Sequence, residues 1–137
     1  MRAVLLICLF VSCNAFSCVV LDIDAVWNSS DKVYLGRVTS GKLVSKNGYE
    51  YAKYRVKVTH KLKGNKIRSL ETATVDSHFP MLAIGNSYLI FQQYSGRVDY
   101  CGQTQEFYLE WLEEGYSLGD EPREVISKVK RELLKRP

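Results

Sequence analysis

Several things are scarce in this sequence. Three prolines and nine glycines in 137 residues are too few for a collagen-like or low-complexity disordered chain. Four cysteines are too few for a disulfide-dense miniprotein. The two histidines, His60 and His78, stand on separate segments, so no His pair has metal-ligand spacing. Asp76 and His78 offer two ligand types without an obvious third, which makes a poor metal site. A phosphate-binding glycine loop and a nucleophile elbow are absent. Carboxylate pairs such as Asp22/Asp24 and Glu113/Glu114 fit a solvated surface. No catalytic residue is assigned, and neither a cofactor nor a bound metal is expected. The reading is therefore a binding protein rather than an enzyme. The one long apolar run, Ala3 to Val11, is too short to span a bilayer. What remains is ordinary: 46% hydrophobic and 25% charged residues, enough for one domain.

The N-terminus has a charged start at Met1-Arg2, then the apolar run, then small residues. That order predicts a signal peptide over 1–15 and a secreted or extracytoplasmic protein. Cleavage after Ala15 leaves Phe16 first, and cleavage after Ser17 leaves Cys18 first. A lipid-anchored form at a cysteine is a third alternative, ranked below both. Removing the signal takes Cys8 and Cys13 with it and leaves Cys18 and Cys101. An even pair in an oxidising compartment is read as a disulfide. Unstrained, it would contribute about 4 kcal/mol in the chain-entropy model. Losing Arg2 lowers the formal net charge from +4 to +3.

Along the mature chain, Leu21 to Trp27 fits either a short helix or an extended arm. Asn28 begins an N-x-S sequon, meaningful in a eukaryotic secretory pathway. Lys32 to Ser40 alternates as a strand, continued by Leu43–Val44 after a bend or bulge at Gly41. Asn47-Gly48 predicts a tight hairpin turn. Tyr49 to Leu62 is the longest strand signal, with Tyr54, Val56, Val58, His60 and Leu62 on one face. Strands are also expected over Ser69–Val75, Ser87–Gln93 and Arg97–Cys101. Phe107, Leu109, Trp111 and Leu112 are expected to pack inward from a loop or helical turn. Asp120 and Pro122 start a terminal helix with the apolar stripe Val125, Ile126, Val129, Leu133 and Leu134. Strands joined by hairpin turns and followed by a helix predict a mainly β protein. The expected domain, 16–137, is a closed five-stranded OB-fold barrel with a C-terminal α-helix.

The stretch from Tyr54 to Gly64 (Tyr-Arg-Val-Lys-Val-Thr-His-Lys-Leu-Lys-Gly) resembles the long second strand of netrin-like domains. Asp31-Lys-Val-Tyr-Leu-Gly-Arg-Val38 resembles their first strand, and Ser87-Tyr-Leu-Ile-Phe91 their core strand. Cys101 sits where the family has a cysteine after the last barrel strand. The branch most similar is the tissue inhibitors of metalloproteinases and their short bacterial relatives, over roughly Phe16 to Trp111. The resemblance implies an OB barrel and a mature N-terminus that chelates a protease zinc through its free amine and carbonyl. Phe16-Ser17-Cys18 matches the family's opening C-[ST]-C, with Phe16 in place of the first cysteine. Cys18 then pairs with Cys101, and Ser17 faces the specificity pocket. Val19 takes that place if cleavage follows Ser17. The first cysteine's usual partner is missing as well, since Ser77 to Asn86 holds no cysteine.

Two functions follow. The first is inhibition of a zinc metalloprotease by Phe16, Ser17, Cys18 and Val19, with Phe79-Pro80-Met81 as a second contact. The alternative is a polyanion-binding or envelope-associated module without inhibition. Its candidate residues are Lys53, Arg55, Lys57, Lys61 and Lys63 on one strand face, with Lys66 and Arg68 nearby. Such a stripe attracts a sulfated glycan, an anionic lipid or a nucleic acid, and the sulfated glycan is the partner expected outside the cell. Glu50, Glu71 and the acids of the terminal helix decide whether that stripe is neutralised. A monomer is expected.

Overall fold

The computed structural model describes residues 22–65, 69–74, 82–94, 96–98, 104–116, 119 and 122–136. The elements are α1 (Ile23–Ser29), β1 (Lys32–Lys46), β2 (Tyr49–Lys63), β3 (Ser69–Thr74), β4 (Ser87–Gln92), β5 (Arg97–Val98) and β6 (Gln105–Glu106). A 3-10 helix (Leu109–Leu112) and α2 (Arg123–Leu134) follow. The segment 1–15 expected to be a signal peptide, the residues Phe16 to Val19 and all four cysteines lie outside the described residues, as do Lys66, Arg68, His78, Phe79, Pro80, Met81 and Asp120.

The sheet order is β5-β3-β2-β1-β4-β6. The four longer strands pair antiparallel, while the short β5 runs parallel to β3. The protein is thus mainly β with a C-terminal helix, as the alternation predicts. The expected closure is not present: among the described residues no ladder joins β4 to β5, and the sheet stays open there. One hydrogen bond, Gln93 N–H to the Arg97 carbonyl at 2.8 Å, spans the turn between those two strands.

The sheet buries both of its faces where β1 and β4 run side by side, so their burial is nearly continuous rather than alternating. Val33, Leu35, Leu89 and Phe91 project to one side and pack with Val26 and Trp27 of α1, Phe107, Trp111, and Val125, Ile126 and Val129 of α2. Tyr34, Val38, Tyr88 and Ile90 project to the other side and pack with Ala52, Tyr54, Val56, Leu82 and Val98. We call the first the helix face and the second the concave face. Trp27 meets Phe91 edge-on at 6.0 Å, and Phe107 meets Trp111 edge-on at 5.2 Å.

The segment before β1 is a helix rather than an extended arm, because its ends find partners. Asp24, in the first turn, accepts a 2.6 Å ion pair from Lys128 of α2. The Lys128 ammonium also lies 5.2 Å from the centre of the Trp27 ring. At the C-terminal end the Lys63 ammonium donates to the carbonyls of Trp27 (2.8 Å), Asn28 (2.9 Å) and Ser30 (2.6 Å). Those carbonyls lie at the end of the helix, where a cation completes them.

The β1–β2 hairpin turns at Asn47 (φ 53°) and Gly48 (φ 79°), both left-handed, as a two-residue primed turn requires. Register runs regularly from Lys46↔Tyr49 to Ser40↔Arg55, and the irregularity in β1 comes at Thr39, not at Gly41. β2 slips twice, passing over Thr59 and then Leu62. The Thr59 hydroxyl bonds the Leu35 carbonyl at 3.0 Å across the first slip. One extra residue exchanges the faces of everything beyond it. Tyr54, Val56 and Val58 therefore face the concave side, but His60 does not join them. It stands opposite Leu35 on the helix face and is exposed.

Other expectations shift at element ends. The 104–116 region holds the two-residue β6 and the 3-10 helix; Phe107 and Trp111 are buried, Leu112 is half-buried and Leu109 is exposed. Pro122 precedes the first residue of α2 instead of lying in its first turn. Leu134 leaves the apolar stripe and is 87% exposed. Arg136 closes that end by donating to the Leu62 carbonyl.

Candidate functional site

Three places bear on function. The first is the exposed end of the hairpin. Lys53, Arg55 and Lys57 lie on the helix face, beyond the part that the helices cover. Register adds cations the composition of β2 alone does not show. Lys42 stands directly opposite Lys53, Arg37 opposite Lys57, and Lys46 projects to the same side nearer the turn. Directly opposed like charges weaken a hairpin. Arg37 is partly engaged, its Nε donating to the Gly85 carbonyl at 2.8 Å. Glu71 is in register with Arg55, whereas Glu50 pairs with Ser45 on the opposite face.

Lys61 and Lys63 do not belong to this stripe. Past the slip at Thr59, Lys61 pairs with Tyr34 and faces the concave side, where it borders a small crevice with Lys32, Val58 and Asn65. Lys63 returns to the helix face, but its ammonium is committed to the three carbonyls at the C-terminal end of α1. The stripe is therefore Arg37, Lys42, Lys46, Lys53, Arg55 and Lys57. Lys42 and Lys46 were legible in principle: a two-residue Asn-Gly turn fixes the register, and counting back from it sets Lys42 against Lys53.

The second place is the stem Leu82–Asn86, which follows Phe79-Pro80-Met81. Two tyrosine hydroxyls of the concave face accept from it: Tyr54 from Leu82 N–H at 3.1 Å and Tyr88 from Ala83 N–H at 2.9 Å. The burial around both phenols raises their pKa values. Gly85 N–H donates to the Val38 carbonyl at 2.8 Å, and Val38 N–H to that of Asn86 at 3.0 Å. Glu106 of β6 then gathers Asn86 Nδ2 (2.9 Å), the Tyr108 hydroxyl (2.9 Å) and the Tyr88 hydroxyl (3.4 Å). These donors, Asn86 foremost, hold the Glu106 carboxyl below its ordinary value.

The third place is α1, held to the sheet by Lys63 and Trp27 and to α2 by Lys128. Asp22, where the described chain begins, is only a few residues from Cys18.

Three carboxyls have lowered pKa values: Asp24 through Lys128, Glu106 through Asn86, and Glu132 through Lys135. A depressed folded-state value gives stability that is present above the unfolded pKa and lost as pH falls through the folded one. The melting temperature is expected to hold from neutral pH down to about pH 5 and to fall below it. A melting series across that range checks this, and Glu106→Gln should flatten part of the fall.

Among the described residues no group of three His, Cys, Asp or Glu side chains could hold a metal. No described helix is long and apolar enough to cross a membrane. No known family model matches the chain, and no curated protein matches it significantly in sequence.

Proposed function

We propose that the chain is an exported binding protein of the five-stranded OB-barrel type that inhibits a zinc metalloprotease through its mature N-terminus. The barrel part of this reading is supported by β5, which pairs parallel with β3 at one end of the sheet yet follows directly on β4, next to the other end, through a turn that the Gln93–Arg97 bond spans. The observation that carries the inhibitor reading is the anchoring of α1. A chelating tip must present its amine and carbonyl rigidly, because ordering a loose residue costs about 1–2 kcal/mol. Phe16, which replaces the family's first cysteine, lacks that disulfide. A docked helix shortly after Cys18 supplies a firm base in its place, and a Cys18–Cys101 bond would add a second. Phe79-Pro80-Met81 leads into the stem held by Tyr54, Tyr88 and Glu106, which suits a second protease contact.

The chemistry needs an unprotonated α-amine and the carbonyl of the same residue on the zinc. The side chain of that residue is not a ligand, so Phe16 is compatible with the role. The test is a panel of zinc metalloproteases assayed with the exported protein before and after selective acetylation of its α-amine. Inhibition that acetylation abolishes supports the reading. Inhibition that survives acetylation, or none across the panel, contradicts it.

A second reading, binding of a sulfated glycan, is favoured by the register that sets Lys42 against Lys53 and Arg37 against Lys57. Binding to a heparin column is expected to elute with salt, and Arg55→Glu/Lys57→Glu should elute distinctly earlier. Lys61→Glu, on the other face, should elute close to the parent.

A further inference from the structure

The β1–β2 hairpin is longer than the sheet that supports it. β4 pairs with β1 only from Lys32 to Arg37, and Val38 makes its bonds with Gly85 and Asn86. From Thr39 to Lys46, roughly 26 Å of extended chain, nothing among the described residues pairs with the outer edge of β1. β2 covers the inner edge over the same length. Alternate residues of an edge strand present unpaired N–H and C=O groups, which form a template for another strand.

The side chains along this edge select what can pair with it. Lys42 and Lys46 project to the basic face, joined there by Lys53 and Arg55 of β2. Leu43 projects to the opposite face beside Ala52 and is 65% exposed. A second copy of this chain would set lysines against lysines across the new ladder, a repulsive pairing. The same lysines favour carboxylates. We propose that the free edge of β1 between Thr39 and Lys46 is a strand-addition site for an extended acidic peptide. Its carboxylates alternate along the face of Lys42 and Lys46, and an apolar side chain lies beside Leu43. Main-chain bonds supply the affinity, and the alternation of charge supplies the selectivity. The site is independent of the N-terminal tip, so failure of the inhibitor reading leaves it standing.

The test uses a fluorescent eight-residue peptide of alternating glutamate and valine, with the full exported protein, read by anisotropy. Three comparison peptides accompany it: alternating lysine and valine, four glutamates followed by four valines, and the alternating glutamate peptide N-methylated at every second residue. The alternating glutamate peptide should bind, and each comparison peptide should bind at least about tenfold more weakly. Lys42→Glu/Lys46→Glu should weaken it by a similar factor while leaving the melting temperature intact, since the carboxylate introduced at position 42 would face Lys53. Equal binding of the N-methylated or block peptide would reduce the effect to general attraction for polyanions and overturn the proposal. So would absence of binding, or a dimer in sedimentation that the peptide does not dissociate.

Discussion

Replacing Lys63 with methionine is expected to destabilise the protein by about 2–4 kcal/mol, because three charge-assisted hydrogen bonds are lost at once. The Trp27, Asn28 and Ser30 carbonyls would lose their shared donor at the end of α1, close to the buried Trp27. Methionine keeps most of the alkyl stem, so the loss reads the ammonium rather than the packing. Urea denaturation gives the magnitude. Hydrogen exchange gives the location: protection should fall first across α1, with β1 and β2 little changed. A loss below about 0.5 kcal/mol, the usual range for surface substitutions, would show that the cap contributes little. The result also bears on the proposed function, which takes α1 as the base for the chelating tip.

Gly36→Ala is expected to cost about 3 kcal/mol, at the upper end for overpacking in a core. A Cβ built on Gly36 would stand 2.4 Å from Val56 Cγ1 and 3.1 Å from the Lys57 carbonyl oxygen. The first neighbour is a fully buried side chain and the second is backbone, so neither yields freely. Trimming Val56 to alanine removes the nearer obstacle. Gly36→Ala/Val56→Ala should therefore be clearly more stable than the sum of the single effects predicts, a positive coupling measurable in a double-mutant cycle. Simple additivity would contradict the contact.

The strands of this fold were legible in sequence because alternation and turn chemistry agree on them. Asn47-Gly48 locates the hairpin, Val33 to Val38 mark the buried part of its first strand, and Tyr88 to Phe91 mark the buried strand beside it. The faces of β2 beyond Val58 were not legible. A single slip at Thr59, sealed by the hydroxyl bond to Leu35, sends His60 and Lys61 to the faces opposite those that strict alternation gives them. No propensity marks such a residue in advance. α1 was ambiguous for a related reason: seven residues are too few for periodicity to decide, and distant partners, Lys63 and Lys128, stabilise the helix. Lys63 illustrates the limit most clearly. As a charge on a strand it looks like part of a basic stripe, and only the register and the neighbouring helix reveal it as a cap. The inhibitor role proposed for Phe16, Ser17, Cys18 and Val19 rests on family resemblance alone, since no local pattern distinguishes a chelating amine from any other chain start.

The most direct test of the proposed function is the intact mass and N-terminal sequence of the exported protein, taken with and without reductant. The account predicts a chain that begins at Phe16 with a free amine and gains one hydrogen per sulfur of Cys18 and Cys101 on reduction. A chain that begins at an acylated cysteine, or one whose mass reduction leaves unchanged, would contradict the zinc-chelating tip and leave the basic hairpin as the surface that acts.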